Sequence, residues 1–168
     1  RLRAGGAAPL GKAAGRSWQR ARFEGPYLRD ELLGLGVFVE TLETAHSWSR
    51  LHELYGAVGD ALRGALGRSS IVICHLSHAY ADGASLYFTF LGAARGGEEI
   101  EQWRAVKSAA CEAIVATEGT ITHHHAVGRD HAPYMRSEVG LIGLEALRAV
   151  KERLDPAGIM NPGKLLPD

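Results

Sequence analysis

An excess of charge of one sign, paired cysteines and long apolar runs are all missing from this sequence. Its 168 residues contain 19 Lys plus Arg and 19 Asp plus Glu, so no basic surplus marks a nucleic-acid-binding protein. Cys74 and Cys111 lie in apolar segments without the paired spacing of a disulfide framework or a zinc site. We therefore predict free core thiols and exclude nucleic acid as a partner.

Membrane-spanning and nucleotide-binding patterns are also missing. No stretch of about 18 apolar residues occurs, and no apolar run follows the first arginines, which excludes a transmembrane helix and a signal peptide. The expected location is the cytoplasm, with contact to a membrane left open. Neither GxGxxG nor GxxxxGK(S/T) is present, so a bound nucleotide would be held mainly outside this chain. The chain begins at Arg1, and we expect it to be a fragment of a longer protein.

The apolar periodicity predicts an α+β fold. Residues 1–25 are rich in Gly, Ala and Arg and are expected to form a flexible arm, whereas residues 26–168 form the domain. Period-two and β-branched segments predict strands over 34–43, 69–78, 85–91 and 120–125, and period-3.6 segments predict helices over 47–66, 98–117 and 137–154. The order is that of a ferredoxin-like split βαββαβ sandwich with an added C-terminal helix.

The third predicted strand assigns side chains to the two faces of the sheet. Because strand side chains alternate, Leu86, Phe88 and Phe90 point towards the helices and Tyr87 points to the uncovered face. There its hydroxyl can reach a substrate. An ordinary strand tyrosine with a satisfied hydroxyl is the alternative.

Three adjacent histidines, His123, His124 and His125, are the least ordinary feature of the sequence. In a strand, neighbouring side chains point oppositely, so at most His123 and His125 could share an ion, with Asp130 or His131 as further candidates. We predict no metal and favour acid, base or hydrogen-bonding roles beside a ligand.

Four motifs together resemble one family. They are PYLRD (26–30) with ETLET (40–44), HAYADGASLYFTF (78–90), TITHHHAVGRDH (120–131) and LDPAGIMNPGKLL (154–166). The chain from about residue 27 to 166 resembles the C-terminal cap domain of FAD-linked oxidases of the vanillyl-alcohol oxidase type, and within them the alkyldihydroxyacetonephosphate synthases.

The resemblance implies a cofactor, partners and roles for particular residues. FAD is held mainly by an N-terminal domain outside this chain, over which the cap domain closes. The implied partners are that FAD-binding domain and a small-molecule substrate, with a homodimer left open. The implied site residues are Tyr87, which donates or accepts a proton; His123, His124 and His125, needed for activity; Arg29 and Thr41, which bind substrate; and Asn161, Gly163, Lys164 and Leu165, near the cofactor.

The reaction that the resemblance implies is the exchange of the acyl group of acyl-dihydroxyacetone phosphate for a fatty alcohol, without net redox change, in ether-lipid synthesis. Two alternatives stay open. One is a FAD-dependent dehydrogenase or oxidase of a 2-hydroxy acid or alcohol, because the closing NPGK is widespread among FAD-linked oxidases. The other is a stand-alone module that binds a metal or ligand through the histidine segment. We expect the isolated chain to be inactive.

Overall fold

A computed structural model of the chain describes residues 3–6, 8 and 11–167. The helices and strands of this part, with single 3-10 turns at Arg3–Gly5 and Ala132–Tyr134, follow in chain order. They are α1 (Ala13–Ala21), α2 (Gly25–Gly34), β1 (Val37–Ser47), α3 (Leu51–Leu66), β2 (Ile71–Ser77), β3 (Gly83–Ala93), α4 (Glu99–Ala116) and α5 (Met135–Leu154).

The three strands form one antiparallel sheet in the order β1-β3-β2. β2 and β3 form the predicted hairpin, and β1 pairs with the other edge of β3. A Cβ atom on Gly83 would overlap the carbonyl oxygen of His46, so the strand can begin there only with glycine. The α+β class is confirmed, and so is the order strand, helix, strand, strand, helix through α4.

Helices α3 and α4 cover one face of the sheet. Phe88 and Phe90 of β3 are fully buried against them, as the alternation predicted, and Leu86 is 3% exposed. From α3, Leu54 and Val58 contribute fully buried side chains, each worth roughly 1.5–3 kcal/mol of burial free energy. The opposite face carries the half-buried Tyr87, and we call it the uncovered face because α3 and α4 lie on the other side of the sheet.

The predicted fourth strand, residues 120–125, is wrong: this segment is a loop with a single bridge between Ala45 and Thr120. The backbone turns left-handed at His124 (φ 42°) and Ala126 (φ 67°), which no strand can follow. Side chains also form hydrogen bonds with backbone groups that a fourth strand would need for pairing. The Thr44 hydroxyl donates to the Thr120 carbonyl at 2.6 Å, and the Ile121 amide donates to Glu138 at 2.8 Å.

The two ends of the chain differ in detail from the predicted pattern. α1 lies inside the predicted flexible arm, and all of its side chains are exposed, so the division at residue 25 stays a prediction. α5 is interrupted at Gly140 (φ 70°). The apolar side chains that follow this interruption therefore do not all face the core: Ile142 is 83% exposed, whereas Leu144 is buried. None of the described helices has the length and apolarity needed to cross a bilayer.

Because one sheet face is buried and the other is not, truncating a side chain on the buried face should lower the free energy of unfolding more than truncating one on the other face. Phe88→Ala removes a fully buried ring and should lower the free energy of unfolding by about 3–5 kcal/mol. Ile73→Ala, on a side chain that is 58% exposed, should cost about 1 kcal/mol or less. Urea unfolding of this chain followed by circular dichroism measures both, and equal costs would contradict the assignment of the two faces.

Candidate functional site

Tyr87 lies in the middle of the uncovered sheet face, as predicted. In the strand register it stands opposite Glu43 of β1 and His75 of β2, so these three side chains share that face. Thr41, a predicted substrate-binding residue, stands opposite Thr89 on the same face, and both are half-buried. The face therefore presents hydroxyl groups on a surface to which water or a ligand has access.

The loop after α4 folds over one end of this face. Its backbone is fixed to β1, because the Thr120 amide donates to the Ala45 carbonyl at 3.1 Å and the His123 amide donates to the Glu43 carbonyl at 3.1 Å. From the other side, Glu138 of α5 accepts the hydroxyl of Thr120 at 2.5 Å. The three histidines are thus carried by an irregular loop anchored at its start.

Glu43 is the centre at which the histidines meet. Its carboxylate is 1% exposed, and the Ser85 hydroxyl donates to its Oε1 at 2.6 Å. The Nε2 atoms of His124 and His125 lie 2.7 and 3.0 Å from Oε2. The Nδ1 atoms of His78 and His123 lie 3.3 and 3.4 Å from Oε1. We call Glu43, His78, His123, His124 and His125 the histidine cluster.

The contacts in the histidine cluster are close but not linear hydrogen bonds. Oε2 of Glu43 and Nδ1 of His123 are buried without a hydrogen-bond partner of acceptable geometry. The rings pack edge to face instead, with centroids 4.8 Å apart for His78 and His124 and for His124 and His125. Charge and packing, more than directed hydrogen bonds, therefore hold this group together.

The electrostatics leave an ionised carboxylate at the centre. Burial raises the pKa of Glu43, but the hydrogen bond from Ser85 and the charges of His124, His125 and His123 outweigh burial and lower it. Burial lowers the pKa of His125 by more than the attraction of Glu43 raises it. The lowered pKa of Glu43 leaves its carboxylate ionised at neutral pH, and the lowered pKa of His125 favours the neutral form of that ring.

Two tyrosines border the histidine cluster. The Tyr80 hydroxyl lies 3.2 Å from Nε2 of His123, and the Tyr80 carbonyl accepts a hydrogen bond from the Trp48 indole at 3.1 Å. Tyr87 meets the cluster at His125, with ring centroids 5.4 Å apart and an angle of 78° between the planes. The structure thus brings Tyr87 next to His125, whose ring packs against His124, which in turn packs against His123.

Four members of the cluster could hold a metal ion. Glu43, His78, His123 and His124 each offer one ligand atom, and these atoms lie within 4.8 Å of one another. A carboxylate with three imidazoles is a donor set that suits a first-row divalent cation. The expectation that only His123 and His125 could share an ion is wrong, because it assumed a strand. The prediction that no metal is bound stays a prediction.

The remaining predicted site residues lie in two other places. Arg29 is in α2, where its guanidinium pairs with Asp30 at 3.1 Å, and in the described part of the chain it makes no hydrogen bond to the histidine cluster. Asn161, Gly163, Lys164 and Leu165 lie in a C-terminal segment that contacts the loop between α4 and α5. The Leu165 amide donates there to the Gly128 carbonyl at 3.3 Å.

Sequence reasoning did not single out Glu43 or Tyr80 as site residues and gave His78 no role. Glu43 lies in the ETLET segment used for the resemblance, and a carboxylate at the end of a predicted strand was the available signal. Such a residue is rarely buried unless it has partners. The partners come from loops far along the chain, so only the folded structure identifies them.

The chain is similar to known proteins over most of its length. Residues 7–165 match the family model described as FAD linked oxidases, C-terminal domain. The chain is similar to the alkyldihydroxyacetonephosphate synthases of Trypanosoma brucei brucei (35% identical, 96% of this chain and 27% of that protein) and of Dictyostelium discoideum (32%, 94% and 26%). A solved structure of alkyldihydroxyacetonephosphate synthase, 24% identical with a TM-score of 0.61, covers 88% of this chain and 24% of that one, and shows the same fold. The chain thus spans about a quarter of the length of these relatives.

His131, in the loop between α4 and α5 that carries the three adjacent histidines, should make the stability of the chain depend on pH. Burial, with a smaller effect of Lys107, lowers the pKa of His131. The unfolded chain takes up this proton near the ordinary value of about 6.5 and the folded chain only at lower pH, so stability is full above about pH 6.5 and falls below it.

Urea unfolding at about pH 7.5 and about pH 5 measures this loss. His131→Gln should show a smaller loss than the unchanged chain, because it removes one of the groups responsible. His52→Gln, at an exposed histidine of α3, should show the same loss as the unchanged chain. Equal losses in both variants would contradict the role of His131.

Proposed function

This chain belongs to the family of FAD-linked oxidase C-terminal domains, and from that premise we propose that it forms the substrate side of an alkyldihydroxyacetonephosphate synthase-like enzyme. In this proposal the whole enzyme exchanges the acyl group of acyl-dihydroxyacetone phosphate for a fatty alcohol. The observation that carries it is the contact of Tyr87 with His125 on the uncovered sheet face. The Tyr87 and His125 rings pack edge to face there, on a sheet face where Tyr87 is half-buried.

The residues of this chain fit contact with the flat ring system of FAD but do not fit binding of its phosphates. The sequence lacks a glycine-rich phosphate cradle, so the dinucleotide end of FAD would be held by the domain outside this chain. The uncovered face, with Thr41, Tyr87 and Thr89 half-buried, fits contact with the flat ring system. Bound FAD would supply the ring at which the reacting carbon is activated.

Tyr87 is assigned the proton transfer. In the exchange, the bond from the substrate carbon to the acyl oxygen breaks and the fatty acid leaves as a carboxylate. A bond then forms between the same carbon and the alcohol oxygen, and the alcohol gives up its proton. The Tyr87 hydroxyl donates or accepts a proton at its Oη atom, and the neutral His125 ring beside it can take that proton up.

Arg29 is assigned the phosphate group of the substrate. Its pair with Asp30 is exposed, with the two side chains 55% and 64% accessible. Exposed ion pairs of this kind are worth about 0–1 kcal/mol, so a phosphate can displace Asp30 at little cost. A guanidinium then binds two phosphate oxygens at once.

Tyr87→Phe tests the proposal in the full-length enzyme. The change removes one hydroxyl and keeps the ring, so packing should be retained while proton transfer is lost. Turnover of acyl-for-alcohol exchange should fall by on the order of 10²-fold or more, the scale of general acid and base catalysis. Tyr55→Phe is the matched control, because Tyr55 lies on α3 and stacks on Phe88 behind the sheet.

The exchange assay is paired with a measurement of flavin reduction by 2-hydroxy acids, at equal flavin occupancy. Near-normal exchange in Tyr87→Phe would remove Tyr87 from the mechanism. Rapid flavin reduction by a hydroxy acid, with no exchange by the unchanged enzyme, would replace the proposed transferase with an oxidoreductase.

A further inference from the structure

We propose that Glu43 is a positioning residue, whose buried carboxylate sets the arrangement of the imidazoles of His78, His123, His124 and His125. The effect of Glu43 on the reaction rests on the proposed function, in which these histidines assist beside the substrate. The effect of Glu43 on the arrangement of the rings rests on its contacts alone.

The burial of Glu43 is the first support. Its strand neighbours on the uncovered face, Thr41 and Tyr87, are half-buried, yet its own side chain is 1% exposed. Two segments close over it, the turn between β2 and β3, which carries His78, and the loop with His123–His125. A carboxylate removed from water needs hydrogen bonds or positive charge, so both segments are drawn to the same carboxylate.

Backbone strain at two of the histidines is the second support. His78 and His124 both have φ of 42°, in the left-handed region that residues other than glycine seldom adopt. Such conformations persist only where the surroundings over-determine them. Each of these residues places a ring nitrogen within 3.3 Å of a Glu43 oxygen, and their two rings pack edge to face. Attraction to the carboxylate thus offsets part of the cost of both backbone conformations.

The third support is the set of nitrogen atoms that face the carboxylate. Oε1 faces Nδ1 of His78 and of His123, and Oε2 faces Nε2 of His124 and of His125. In a neutral ring the nitrogen nearest an anion carries the hydrogen, which leaves the other nitrogen as an acceptor. For His123 the other ring nitrogen is Nε2, which lies 3.2 Å from the Tyr80 hydroxyl. The position of Glu43 thus fixes which nitrogen of each ring faces the carboxylate and which faces away from it.

Glu43→Gln in the full-length FAD-containing protein is the test. Glutamine keeps the shape and can still accept from Ser85, but it has no charge, and its amide can place N–H groups against the rings. The matched control is Glu40→Gln, the same change in the same strand on the opposite face, where the carboxylate accepts from the Trp103 indole at 2.8 Å. Glu43→Asp keeps the charge and tests rescue.

Two readouts are measured on each variant. In the exchange assay, Glu43→Gln should lower kcat by on the order of 10²-fold with little change in KM, and Glu43→Asp should recover at least about tenfold of that loss. Independently of the reaction, diethyl pyrocarbonate labelling followed by peptide mass spectrometry should show several-fold faster modification of His78 and His123–His125 in Glu43→Gln. Glu40→Gln should match the unchanged protein in both.

The outcomes separate the two proposals. If labelling changes as expected but the unchanged enzyme catalyses no exchange, the proposed function fails and the positioning role stands. Labelling and kcat in Glu43→Gln equal to those of Glu40→Gln would overturn the positioning role. A stoichiometric metal ion that is lost on Glu43→Gln would also overturn it, because Glu43 would then be a ligand. If Glu43→Gln does not fold, Ser85→Ala decides, because it removes the hydroxyl that donates to Oε1 of Glu43: labelling and kcat equal to those of the unchanged protein overturn the role.

Discussion

A carboxylate deprived of water has to replace its hydration with other polar contacts, and this requirement at Glu43 organises the functional end of the molecule. Packing of α3 and α4 accounts for one face of the sheet by ordinary hydrophobic burial. On the other face, Glu43 brings together the turn that carries His78 and the distant loop that carries His124. Its contacts with these two rings help to hold both residues in left-handed backbone.

How far the sequence predicts this structure depends on whether the information is local. The period-two pattern around Tyr87 is local, and it correctly predicted which side chains of β3 face the helices. The same reasoning failed for residues 120–125, because Thr and Ile favour strands while the left-handed turn at His124 is stabilised by a partner elsewhere in the chain. Motif resemblance supplied the histidines, since it does not depend on their local conformation.

The role of Glu43 could be predicted neither from the local residue pattern nor from the motif resemblance. Its strand was predicted, and its neighbours in the ETLET segment contributed to the resemblance, yet its role follows only from burial. A glutamate in a strand is most often a solvated side chain, and nothing within a few residues of it signals otherwise. By contrast, Arg29 was expected from the resemblance to bind substrate, and the structure shows it in an exposed ion pair with Asp30.

The outer strands of the sheet have a consequence for handling the protein. Within the described residues β2 pairs on one side only, whereas the second edge of β1 is met by the loop at Thr120 and His123. Ile71 and Ile73 of β2 are more than half exposed. An unpaired strand edge beside exposed branched side chains is a template for adding another strand from any chain nearby. Preparations of this piece alone should therefore tend to self-associate at high concentration, and charged substitutions on β2 would serve better than changes to the core for keeping it in solution.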